Sequence, residues 1–203
     1  MNSRMNRPAM GIATVLSAQN KKTYWDFLNT FEARNLKAIQ LGVNKHFCVD
    51  AEINGSHPIN EAESGVGYYS DIIAPIAQSL DGFTRQNYIV LAGEYQGSEW
   101  VTSTGYFYGH FGKPLFGIPP SNKMAFLRFG EFHKMENGKI TETYVYLGLA
   151  ELKMHWVGGH WHQAADMRAW FLGLLHMMVY LLKVPHRKDQ EPAQTWLKEC
   201  LNV

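Results

Sequence analysis

The chain has 203 residues, 46% of them apolar and 18% charged, which is the make-up of one globular domain with material for a real core. A formal net charge of +1 leaves no basic footprint for nucleic acid or an anionic membrane. Cys48 and Cys200 form no spacing motif, so free thiols in a reducing compartment are expected, and with them a cytoplasmic location. Arg4 and Arg7 precede an apolar run in the manner of a signal peptide, but Pro8 and Gly11 interrupt it and no small-residue cleavage site follows. The apolar stretch 169–182 contains His176 and falls short of the roughly 20 residues that a membrane span needs.

Residues 1–19 read as a flexible lead-in. Over 21–42, Tyr24, Trp25, Leu28, Phe31, Leu36 and Ile39 recur at near-helical spacing, which predicts one amphipathic helix ended by Gly42. The mixed segment 43–64 reads as a short helix and a loop across a sheet edge. A second helix is expected over 65–80, kinked or split at Pro75. Strands follow, over 86–94 and 100–110, with Gln96-Gly97 as the turn. Gly105 and Gly109 in the second of these mark bulges or a strong bend. Strands over 124–135 and 139–149 flank Asn137-Gly138, a strong hairpin signal. Two helices followed by a meander argue for an α+β layer fold. Beyond Trp156 an aromatic linker precedes an apolar helix over 164–184, expected to be buried in an interface and to contribute to oligomerisation.

The strand over 124–135 carries the functional question. Ala125, Leu127, Phe129, Glu131, His133 and Met135 alternate onto one face, so a single carboxylate sits in a mainly apolar row. It is either a buried structural acceptor, bonded by Arg128, His133 or tyrosines, or a proton-transfer group. Desolvation raises a carboxyl pKa toward the range useful near neutral pH, with Phe129 drying the site and His133 relaying a proton. On the next strand Ile140, Glu142, Tyr144, Tyr146 and Gly148 share a face by simple alternation. If that face points inward, Tyr144 and Tyr146 donate to a developing oxyanion; otherwise they are core tyrosines. Trp25, Tyr24 and Phe107 are expected as pocket walls or core. His155, His160 and His162 cluster, and His46 and His57 flank Asp50, but none of these makes three fixed ligands on a rigid frame, so no metal is expected.

Trp100-Val101, Gly105, Gly109, Gly117-Ile118-Pro119-Pro120, Arg128, Glu131-Phe132, Asn137-Gly138-Lys139-Ile140 and Glu142 together resemble the SnoaL-like polyketide cyclases of the nuclear transport factor 2-like superfamily. The resemblance spans residues 20–157, with 158–203 as a C-terminal helical extension. It implies a cone: a curved antiparallel sheet wrapping a pocket, closed by N-terminal helices, and a homodimer packed through sheet faces. It also implies aldol-type cyclase chemistry without metal or organic cofactor, a carboxylate removing a proton alpha to a carbonyl. Glu131 stands where those cyclases carry Asp, Phe107 where they often carry His, Tyr144 in place of a usual Trp, and Gly148 in place of a common Asp. The expectation is therefore a small-molecule cyclase, isomerase or lyase acting on a hydrophobic carbonyl-containing ligand. Its catalytic residues would be Glu131 and His133, and its pocket would be lined by Trp25, Phe107, Leu127, Phe129, Tyr144 and Tyr146. The alternative is a non-catalytic ligand-binding or dimerisation module of the same fold.

Overall fold

The computed structural model describes residues 15–95 and 97–157. The expectations for residues 1–14 and for the extension over 158–203 lie outside them. The chain opens with α1 (Val15–Leu28), a 3₁₀ turn (Asn29–Phe31) and α2 (Leu36–His46). This is two helices where sequence periodicity predicted one. Arg34 takes a positive φ of 48°, and Asn35 then caps α2, its side-chain oxygen accepting from the Lys37 N–H at 2.9 Å. Gly42 is no stop signal. It lies within α2, where a Cβ would press on the Thr30 side chain at 2.6 Å, so its role is close packing against the preceding turn.

Strand β1 (Phe47–Gly55) occupies the segment expected to be helix and loop, and β2 (Glu61–Glu63) pairs with it. A helical run then covers α3 (Ser64–Gly67), a π-helical stretch (Tyr68–Ile73) and α4 (Ala74–Ser79). Pro75 lacks the N–H that an α-helix needs one turn back, and the wider turn immediately before it absorbs the mismatch. Strands β3 (Leu80–Tyr95), β4 (Ser98–Phe111), β5 (Met124–Glu136) and β6 (Lys139–Leu147) complete the sheet, followed by α5 (Leu149–Val157).

Among the described residues the sheet runs β2-β1-β6-β5-β4-β3. It is mixed rather than wholly antiparallel, because β1 pairs in parallel with β6. The β5–β6 hairpin turns through Asn137 and Gly138, both at positive φ (52° and 74°), the conformation a tight two-residue turn requires. The expected bends are present: β3 slips register opposite Gly109 and again opposite Gly105. The concave face holds the core, with Phe27, Ile39, Tyr68, Phe107, Leu127 and Phe129 all buried. No helix of the described residues is long and apolar enough to cross a membrane.

Gly105 is where the curvature is most constrained, since a Cβ there would collide with the Gln86 carbonyl oxygen and the Phe129 ring. Gly105→Ala is expected to cost about 3 kcal/mol or more, read as a lowered urea midpoint. Gly97→Ala, at a turn glycine with open space around it, would cost only about 1 kcal/mol of backbone strain.

Candidate functional site

The row read from β5 is real: Ala125, Leu127, Phe129, Glu131, His133 and Met135 are all buried. Cross-strand pairing then dictates what surrounds the acid. Ser103 on β4 and Val145 on β6 lie directly opposite Glu131, and β3 brings Arg85 opposite Phe107. Arg85 Nη2 sits 2.5 Å from Glu131 Oε2, both side chains fully buried. Arg85 Nη1 donates to Oε1 at 3.3 Å, and the Tyr68 hydroxyl donates to Oε1 at 2.8 Å. Tyr24 donates to Oε2 at 3.2 Å, and His133 Nε2 approaches the same oxygen at 3.4 Å. Both carboxylate oxygens are thus occupied by donors from four side chains of the same chain.

The outer ring of this network is equally closed. The Tyr24 hydroxyl meets Ser103 Oγ at 2.8 Å, and Arg85 Nε donates to Asn87 Oδ1 at 3.2 Å. His133 Nδ1 lies 3.0 Å from Thr143 Oγ1. Since a carboxylate only accepts, the His133 proton belongs on Nε2, and Thr143 donates to Nδ1. The guanidinium is packed between rings, 4.3 Å from the Phe129 centroid, 4.9 Å from Phe31 and 5.4 Å from Phe107, contacts worth up to roughly 2 kcal/mol when desolvated.

These contacts decide the charge states. Burial pushes the Glu131 carboxyl upward, as expected, but the Arg85 guanidinium and the His133 hydrogen bond outweigh it and hold the group well below the usual carboxylate range. Burial pushes His133 down and keeps it neutral, only partly offset by Glu131. Burial likewise raises Tyr24 and Tyr68 above the ordinary tyrosine value. The interior is an ionised pair wrapped in neutral donors, not a carboxyl poised near neutral pH.

A cavity of about 260 Å³ opens elsewhere, between α2 and the loop before it, α4 and the start of β3, lined by Arg34, Leu36, Ile39, Ala77, Leu80, Asp81, Gly82 and Phe83. Phe83 forms its inner wall and stacks on Phe107 at 5.6 Å, and Phe107 packs on Phe129 at 4.5 Å. An aromatic layer thus stands between the cavity and the Arg85–Glu131 pair.

Of the residues singled out from sequence, Glu131, His133, Phe107, Leu127 and Phe129 converge on this interior. Trp25 does not: α1 buries Tyr24, Phe27 and Leu28, and Trp25 is 43% exposed. Tyr144 and Tyr146 face the outer side of the sheet, opposite Phe132 and Gly130. The cause is an irregularity in β6: Ile140 pairs with Met135 but Glu142 with Lys134, so an extra residue reverses the alternation. Thr143, Val145 and Leu147 point inward instead, all buried. Arg128 likewise faces outward, where it donates to the Tyr106 hydroxyl at 2.6 Å. Arg85 and Tyr68 were missed. The available signal was a lone cation two residues after Phe83, matching the single carboxylate in the apolar row of β5. His46 is buried and Asp50 exposed, and the His110 side chain is about half exposed, 3.9 Å from Asp81. Among the described residues no three His, Cys, Asp or Glu side chains are grouped to hold a metal; His160 and His162 lie outside them.

Glu131→Gln leaves Arg85 charged and unpaired, so it is expected to destabilise by about 3–5 kcal/mol, with Arg85→Met similar and the Arg85→Met/Glu131→Leu double variant recovering most of the loss. Acid acts in two steps. His133 has a folded pKa below its unfolded value near 6.5, so stability falls as pH drops through that value. Glu131, held below its unfolded 4.5, adds a second loss under about pH 4.5. Urea midpoints between pH 8 and 3 read both steps, and His133→Asn should remove only the first.

No protein-family model matches the chain, and no curated protein matches it. Solved structures do. One, assigned as a SnoaL-like polyketide cyclase, from Jannaschia sp. CCS1, has a TM-score of 0.58 at 12% identity, covering 77% of this chain and 99% of that one. AclR from Streptomyces galilaeus, assigned as a hydroxylase, has a TM-score of 0.55 at 13% identity, covering 80% and 97%. An NTF2-like protein of unknown function from Burkholderia pseudomallei has a TM-score of 0.50 at 12% identity, covering 66% and 94%. At such identities the likeness is one of architecture: this chain has the nuclear transport factor 2-like α+β fold that SnoaL-like polyketide cyclases share.

Proposed function

We propose that this chain is a non-catalytic module of the nuclear transport factor 2-like fold that holds a small hydrophobic carbonyl ligand in the cavity between α2, α4 and the start of β3. One observation carries the reading: both Glu131 oxygens are taken by Arg85, Tyr24, Tyr68 and His133, and the acid is held ionised. A carboxylate base needs a free lone pair aimed at the substrate's proton and a pKa near the working pH. Glu131 has neither. The cavity outside the aromatic layer offers a small ligand another seat, with Leu36, Ile39, Ala77, Leu80 and Phe83 among its lining and Arg34 and Asp81 as its charged groups, Arg34 being the donor to a carbonyl.

A second reading keeps catalysis, favoured by the concentration of Glu131, Arg85, His133, Tyr24 and Tyr68 in the cone's interior, since buried polar clusters with shifted pKa values are enriched at active sites. That reading requires Phe83 and Phe107 to move aside for substrate.

One experiment separates the two. Short apolar ketones are titrated by calorimetry while exchange of their alpha protons in heavy water is followed by NMR. The module reading expects binding, weakened about tenfold by Arg34→Ala, with exchange no faster than in buffer. Exchange above the buffer rate that disappears in His133→Asn would overturn it in favour of the enzyme.

A further inference from the structure

The outer face of the sheet is the part of the molecule that the interior leaves unexplained. Across β3, β4 and β5 it carries a continuous aromatic patch. Tyr88 packs on Tyr106 with centroids 5.6 Å apart, Tyr106 on Phe126 at 6.2 Å, and Tyr108 on Phe126 at 5.7 Å. Tyr88, Phe126 and the neighbouring Met124 are 46%, 47% and 57% exposed. Large apolar side chains gathered on one face of a sheet call for a covering partner.

The direction in which the chain leaves the sheet says which partner. After β6, Gly148 N–H donates to the Arg128 carbonyl at 2.8 Å, and α5 begins. Glu151 of α5 reaches back to Arg128, its Oε2 3.8 Å from Nε, and the Arg128 guanidinium lies over Tyr106, in the middle of the patch. Glu151 thus reaches the side of the sheet that bears the exposed aromatics, while Leu152 of the same helix is buried in the core cluster. Residues 158–203 continue from its end. Within them, 169–182 contain no Asp, Glu, Lys or Arg, an apolar content that the patch can take. The eleven residues 158–168 can span up to roughly 36 Å, more than the about 15 Å across β3, β4, β5 and β6 and the about 14 Å length of α5 together, so the tether is long enough to return to the patch. A tethered segment competes with free partners at an effective concentration in the millimolar range.

We propose that the segment 169–182 of the same chain docks on the Tyr88–Tyr106–Phe126 patch and covers the outer face of the sheet. It then occupies the surface through which the family resemblance implies that two copies pair.

The test uses the full chain with the photo-reactive benzoylphenylalanine in place of Phe126, prepared as an equal mixture of unlabelled and ¹⁵N-labelled protein and mapped by mass spectrometry. Docking predicts cross-links from position 126 to peptides within 164–184, carried by a single isotopic form. Leu175→Glu, in the same background, should lower their yield about tenfold. Cross-links joining the two isotopic forms mean that a second copy covers the face, and overturn the proposal. Cross-links to any other segment, or none above an irradiated control with the probe at the exposed Val49, overturn it as well.

Discussion

The Arg85–Glu131 pair is the constraint around which the interior is arranged. Two opposite charges fully removed from water repay their desolvation only when nearly every donor and acceptor is matched. That requirement reaches far into the chain. Tyr24 comes from the first helix, Tyr68 from the π-helical stretch, Arg85 from β3, Ser103 from β4, His133 from β5 and Thr143 from β6. Each is delivered by a different element, and the three rings flanking the guanidinium fix its plane. An ion pair of this kind adds little net stability over a greasy core. What it supplies is a heavy penalty on any arrangement in which one partner is displaced.

The same arrangement bears on chemistry. A general base and a structural anion make opposite demands on their surroundings, one needing vacancy and a pKa near neutrality, the other saturation and a firm charge. Glu131 meets the second set. Phe107 packs against Phe83 and Phe129 and lies beside Arg85, so the space next to the ion pair is apolar.

Sequence pattern was most informative where local rules act alone. The β5 row, the Asn137-Gly138 hairpin, the two glycine-marked bends and the disturbance at Pro75 are all set by residues near one another in the chain. It failed where the deciding contact is distant. β1 carries mixed residues because it lies near the sheet edge, paired in parallel with a strand some ninety positions away, and nothing local signals that. The extra residue in β6 turned Tyr144 and Tyr146 outward because alternation has no way to register a bulge. Trp25 and Tyr24 are adjacent and alike in hydrophobicity, so only the helix's rotation on the sheet chooses between them. Arg85 was overlooked because a lone cation in a strand is unremarkable until its counter-ion is placed.

The parallel pairing of β1 with β6 also sets an order of events. During synthesis, α1, α2 and β1 are made long before the strand against which β1 must lie. Until the β5–β6 hairpin closes, the only sheet neighbour available to β1 among the described residues is the three-residue β2. Contacts this far apart in sequence carry the largest loop-closure cost and form late. The edge of β1 that pairs with β6 therefore stays open through most of translation, an unpaired strand edge on which a holding chaperone has its clearest target.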